Sequence, residues 1–254
     1  MARERQALMI AVANRGSPFE VANAGFCAAA LELFLKNYER ARALSTHALE
    51  IADKHQLPGP APRARSYLGG ALAHLGHATE AIALIRQGVD GWLANGERMG
   101  ISTWMTYLAE AQELAGAVED ALETFQQALE VHPDELSARP ETLRLFAELR
   151  LKQGQTEMAE AGFRDAIARA TDIGAKAWEL RATMSLARLL ANQGRCDEAR
   201  AMLAEIYGWF TEGFDTADLK DAKALLDELN QALAAPAHLN GPPLRGSSRH
   251  VRIQ

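Results

Sequence analysis

The stretch WMTYLAEAQELAGAVEDALETFQQALEVHP, residues 104–133, decides the fold. An apolar-periodic segment ends at the turn glycine Gly116, and a second apolar-periodic segment follows the turn. A glycine just past a helix end is expected, because the chain turns there through positive φ. Pro133 cannot continue the second helix. The stretch therefore reads as two helices packed face to face across a tight turn.

The same plan recurs on both sides. LGGALAHLGHATEAIALIRQGVDGWL at 68–93 turns at Gly76. LRLFAELRLKQGQTEMAEAGFRDAIARA at 143–170 turns at Gly154, and ELRATMSLARLLANQGRCDEARAMLAEIYGWF at 179–210 turns at Gly194. CAAALELFLKNYERARALSTHALEIA at 27–52 has Lys36 and Asn37 where the glycine should be. Asn tolerates positive φ better than most residues, so the turn is expected to survive. Ala7, Ala48, Gly88, Ala128, Ala166 and Ile206 follow one another at spacings of 41, 40, 40, 38 and 40 residues. Seven positions before each of the last five stands another alanine: Ala41, Ala81, Ala121, Ala159 and Ala199. Helices approach to about 8–10 Å only where small side chains meet. A fixed period of this length means stacked helix pairs rather than a single globular core.

Composition supports an all-α array. Alanine, leucine, glutamate and arginine dominate, which favours helix. The net charge of −6 argues against a nucleic-acid partner. No apolar run approaches the eighteen or so residues of a membrane helix, so no membrane partner is expected. Cys27 and Cys196 lie in different repeats and read as thiols of a reducing cytoplasm rather than a disulfide. The start, MARERQALMIAVANRG, carries a basic end and an Ala-Val-Ala at 11–13. Its apolar stretch is short and Glu4 interrupts the basic end, so a helix is a better reading than a secretory leader.

Leu68 with Gly69, Leu108 with Ala109, Phe146 with Ala147 and Leu186 with Ala187 resemble the seventh and eighth positions of tetratricopeptide repeats. Ala81, Ala121, Ala159 and Ala199 resemble the twentieth position. Ile85, Phe125, Phe163 and Leu203 fit the twenty-fourth, Gly88, Ala128 and Ala166 the twenty-seventh, and Pro133 the thirty-second. The resemblance covers roughly residues 20–212. It departs in period, since tetratricopeptide units usually run 34 residues. The fold it implies is an all-α superhelix of antiparallel helix pairs. Residues 175–229 further resemble the C-terminal repeat region of bacterial proteins that join a class III adenylate or guanylate cyclase to an ATPase. The chain contains no G-x-x-x-x-G-K-[ST] phosphate loop and no strand-like segment to carry paired metal-binding aspartates. The family's catalysis therefore does not transfer, and neither enzyme activity nor a cofactor is expected.

Four regions are expected: a half repeat over 1–17 that lacks its first helix, five tetratricopeptide-like repeats over 18–214, a capping helix over 215–234, and a disordered basic tail over 235–254. Ala7 is placed in the small-residue phase. The uncovered half repeat, with Leu8, Met9, Ile10 and Val12, is expected to promote self-association.

Candidate chemistry outside the groove is thin. His74 and His77 stand three apart, but Gly76 separates them, and solvated turn histidines are the preferred reading over a metal site. The acids at the starts of second helices complement the helix dipole. In tetratricopeptide folds the second, fifth, ninth, twelfth and thirteenth positions of each first helix face the concave side. The resemblance therefore implies Arg63 and His74, then Thr103, Thr106, Glu110 and Glu113. Glu141, Arg144, Glu148 and Lys152 follow, then Arg181, Arg188 and Asn192. Arg144, Arg181 and Arg188 would hold the carboxylates of an acidic peptide, with Glu110, Glu113 and Glu148 setting its register. Two functions fit: a scaffold that binds a protein or peptide, within or beside a cyclase–ATPase signalling protein, and a sensing module that gates an attached effector.

Overall fold

The structure, a computed structural model, describes residues 6–7, 9–11, 16–131 and 136–234. Among these the chain is helical, with no strand. Five antiparallel pairs follow one another. They are α1 (Pro18–Phe34) with α2 (Tyr38–Lys54), α3 (Pro60–His74) with α4 (Ala78–Ala94), and α5 (Ile101–Leu114) with α6 (Val118–Glu130). Then come α7 (Arg139–Lys152) with α8 (Thr156–Asp172), and α9 (Lys176–Asn192) with α10 (Cys196–Gly208); α11 (Ala217–Ala234) follows the last pair. First helices also contact first helices of the next repeat, as α1 does α3 and α3 does α5. This stacking makes the array a tetratricopeptide-like superhelix with first helices inside.

Each pair turns by the same device. Gly76 has φ +88°, His77 N–H donates to Leu72 O at 2.9 Å, and Gly76 N–H donates to Ala73 O at 3.3 Å. This double bond pattern satisfies two carbonyls left open at a helix end. It recurs at Gly116, Gly154 and Gly194. In the first pair Lys36, not Asn37, takes the positive φ, at +60°, while Asn37 stays at −91°. The bond pattern fixes the position: Asn37 N–H donates to Glu32 O at 2.8 Å and Lys36 N–H to Leu33 O at 2.9 Å. A lysine in this conformation costs roughly 1–2 kcal/mol. Asn37 serves the turn differently, donating from its side-chain amide at 2.8 Å to the fully buried carboxylate of Glu32.

The small-residue phase marks real crossings. Ala41, Ala48, Ala81, Ala121, Ala159, Ala166 and Ala199 are fully buried. A Cβ added to Gly88 would stand 2.7 Å from Pro62 O, so α3 and α4 meet there at backbone contact. Phe125 and Phe163 fill the spaces between crossings and are completely buried. The N-terminal phase is different. Ala7 is exposed and Gln6 is buried, its amide donating to Ala28 O at 3.0 Å. The buried face there falls one residue earlier than the period implies, because a hydrogen bond to α1, not an alanine crossing, fixes it. Leu8, Val12, Pro133 and the expected tail over 235–254 lie outside the described residues. No helix among the described residues is long and apolar enough to cross a membrane.

Candidate functional site: the concave cavity

The first helices enclose a cavity of about 540 Å³. It runs obliquely through the superhelix. The C-terminal halves of α1 and α3 supply Ala30, Leu33, Phe34, Tyr67 and His74. The facing lengths of α5 and α7 supply Thr103, Thr106, Tyr107, Glu110 and Glu113, then Glu141, Arg144, Leu145, Glu148 and Lys152. The start of α9 supplies Trp178 and Arg181, and Lys36 and Tyr38 close the rim beside α1.

The oblique course decides which sequence-derived residues reach the site. Thr103, Thr106, Glu110, Glu113, Glu141, Arg144, Glu148 and Arg181 line it, as do His74 and Lys152. Arg63, Arg188 and Asn192 do not. Arg63 sits at the N-terminal end of α3, where its guanidinium packs 4.2 Å from the Trp92 ring centroid and 5.1 Å from that of Phe26. Arg188 and Asn192 lie about two and three turns beyond Arg181 on α9. Only the first turns of that helix reach the cavity, because α1 closes over it there.

Arg181 makes that closure. Its side chain is 8% exposed. Nε donates to Asp218 Oδ2 of α11 at 2.7 Å, Nη1 donates to Glu141 Oε1 of α7 at 3.3 Å, and Nη2 donates to Phe34 O of α1. The guanidinium lies 4.6 Å from the Phe34 ring centroid and 5.0 Å from that of Trp178. Phe34 and Trp178 meet edge to face at 4.8 Å. Lys36 Nζ reaches Asp218 Oδ1 at 2.8 Å. The first repeat is thereby joined to the last across the cavity, which accounts for a strained lysine at a glycine position.

The lining arginines and lysines are already matched. Arg144 donates Nε and Nη2 to the two oxygens of Glu141 at 2.8 and 2.7 Å, and Nη1 to Glu148 at 2.6 Å. Lys152 bonds Glu113 at 2.5 Å. Burial by itself would raise the Glu141 pKa, but Arg144 and then Arg181 hold its carboxyl down at about 2. Burial likewise opposes the charge on Arg144, and Glu141 and Glu148 outweigh it, raising its pKa. The expectation that these arginines wait for a partner's carboxylate is therefore corrected: Arg144 and Arg181 are engaged within the protein, and Arg188 is elsewhere.

Aromatic rings form much of the remaining wall. Tyr38 stacks on His74 with centroids 4.3 Å apart, and Tyr67 meets Tyr107 at 6.3 Å. Burial, reinforced by Glu110, pushes Tyr38 up to about 12. Tyr107 is raised as well, again by burial first. Sequence reasoning missed these residues and the contribution of α1. The signals were present. Tyr67 and Tyr107 are one repeat apart, and Ala30, Leu33 and Phe34 occupy the ninth, twelfth and thirteenth places of the first unit once Lys36 is aligned with the turn glycines.

Comparison with known proteins places the fold. No protein-family model and no curated protein matches the chain. Among solved structures, NprR in complex with its cognate peptide NprX is similar at 16% identity and a TM-score of 0.66, over 91% of this chain and 66% of that one. A Rap protein complexed with competence and sporulation factor is similar at 15% identity and a TM-score of 0.60, over 86% and 66%. A thermophilic TPR protein of Thermus thermophilus is similar at 19% identity and a TM-score of 0.58, over 84% and 100%. The chain thus spans just under two thirds of the Rap and NprR chains. At these identities the likeness is one of fold: an all-α tetratricopeptide-like superhelix.

Proposed function

We propose that the chain is a non-enzymatic peptide-binding module and that the concave cavity is its binding site. The observation that carries this reading is the cavity itself, walled by inner helices of all five pairs and closed by Arg181. A cavity of about 540 Å³ lies in the size range of pockets that enclose a small ligand or a few side chains. Two of the similar structures are complexes with a peptide or factor, which supports the sensing reading over a passive scaffold. Occupancy would alter the Phe34–Arg181–Asp218 junction between the two ends of the superhelix, giving a bound peptide a route to whatever the ends contact. The likeness of residues 175–229 to cyclase–ATPase repeats makes a signalling protein of bacterial cytoplasm one setting for such a module.

The test is selection from a library of displayed random seven-residue peptides. The chain should enrich a defined consensus, and Thr103→Trp, which fills the cavity from α5, should lose it while keeping its helical circular dichroism. No enrichment, or equal enrichment by a folded Thr103→Trp, would remove the cavity as the binding site.

A further inference from the structure

We infer that the cavity receives a positively charged group, a lysine or arginine side chain or the amine of a short peptide, and that Glu110 is the carboxylate that takes it. The inference rests on the peptide-binding reading and names the chemistry of its ligand. Four cations surround the cavity, and each has a carboxylate of the protein. Arg144 has Glu141 and Glu148, Arg181 has Asp218 and Glu141, Lys36 has Asp218, and Lys152 has Glu113.

Glu110 is left over. Its side chain is only 15% exposed, and among the described residues its one ion-pair contact is with His74, whose Nε2 stands 3.6 Å away, beyond hydrogen-bond reach; Arg144 also feels its charge but gives its hydrogen bonds to Glu141 and Glu148. A carboxylate so placed has given up water without a hydrogen-bonded counterion, which is costly. A cation entering the cavity recovers that loss. The walls suit a cation as well. Tyr38, Tyr67 and Tyr107 line the same space, and aromatic faces attract ammonium and guanidinium groups. An acidic ligand meets the opposite conditions: its charge would face Glu110, while the guanidinium of Arg144 is held in three bonds to Glu141 and Glu148.

The peptide selection distinguishes the two levels of the claim. Enriched peptides should carry arginine, lysine or a required free amine at one fixed place. A synthetic peptide of the consensus should bind Glu110→Gln at least about tenfold more weakly, the loss of one charge-assisted hydrogen bond. Replacing the peptide's arginine by citrulline, its lysine by norleucine, or acetylating its amine should cost wild type the same factor and cost Glu110→Gln little more. Glu110→Gln should keep the helical circular dichroism of wild type and melt no lower, since it removes a charge without a hydrogen-bonded partner. A consensus without a fixed cation, or a fixed cation whose removal costs both proteins equally, overturns the role of Glu110 and leaves peptide binding standing. Failure to enrich any peptide overturns both.

Discussion

Replacing Gly88 by alanine sets two opposed effects against each other at the α3–α4 crossing. In an open helix the change gains roughly 0.8–1 kcal/mol, because glycine is the poorer helix former. Here the new methyl would lie 2.2 Å from Ser66 Oγ, 2.7 Å from Pro62 O and 3.1 Å from Ser66 N. The hydroxyl can rotate, at the loss of its 3.1 Å hydrogen bond to Pro62 O, worth about 1 kcal/mol. The two backbone atoms cannot move aside without parting the helices, and overpacking of this kind costs about 1–3 kcal/mol. The net expectation is destabilisation by roughly 1–3 kcal/mol, a fall in Tm of the order of 2–10 °C for a chain of this size. Gly208→Ala is the matched control. It sits at the end of α10 with nothing within 4 Å of the added methyl, so it should gain a few tenths of a kcal/mol. An array need not unfold as one two-state unit, so the readout is the urea midpoint followed by circular dichroism. Opposite signs are expected. A Gly88→Ala protein as stable as wild type would show that α3 and α4 do not cross at backbone contact.

Further outcomes follow from the same geometry. Arg181→Met should destabilise by about 2 kcal/mol, below the 3–5 of a fully broken buried pair, because Glu141 keeps Arg144 and Asp218 keeps Lys36; unchanged Trp178 fluorescence and an unchanged midpoint would deny the closure. Arg181→Ala is accordingly a poor probe of binding alone. Glu141 titrates at about 2 when folded against an ordinary 4.5, so between those values the unfolded chain binds more protons. Its contribution is complete above about pH 5 and is lost as pH falls through 2; Glu141→Gln should flatten that acid limb in pH-dependent unfolding, and an unaltered slope would refute the assignment. Ala121→Leu at the fully buried α6 crossing should cost roughly 1–3 kcal/mol in a thermal melt, and an unchanged Tm would count against it. Purified chain should neither cyclise nor hydrolyse ATP or GTP, and turnover abolished by a single substitution would overturn the non-enzymatic reading.

The architecture was legible because its causes are local. A glycine in positive φ, a small residue where helices touch and a large apolar residue between crossings each leave a mark at the same place in most units. The site was legible only as far as it obeys the repeat. Thr106, Glu110 and Arg144 occupy repeated inner positions and do line the cavity. Arg63 and Arg188 occupy the same kind of position and do not, because the superhelical twist moves the cavity along successive helices, and that rotation has no signature in any one unit. The pairing of Arg181 with Phe34 spans 147 residues and depends on the summed rotation of all the repeats between them. Hence the sequence shows an arginine on an inner face and cannot show that its charge is already met. Lys36 is the partial exception: a lysine at a glycine position is a visible irregularity, and its reason becomes plain once Asp218 is found opposite.

Occupancy of the concave cavity by a peptide is read most directly by hydrogen–deuterium exchange of the chain, free and saturated with its selected consensus peptide. Exchange should slow in α5, in α7 and in the first turns of α9, with a change at the Phe34–Arg181 junction. Protection confined to the outer helices, or to the segment bearing the 59% exposed Trp209, would contradict it.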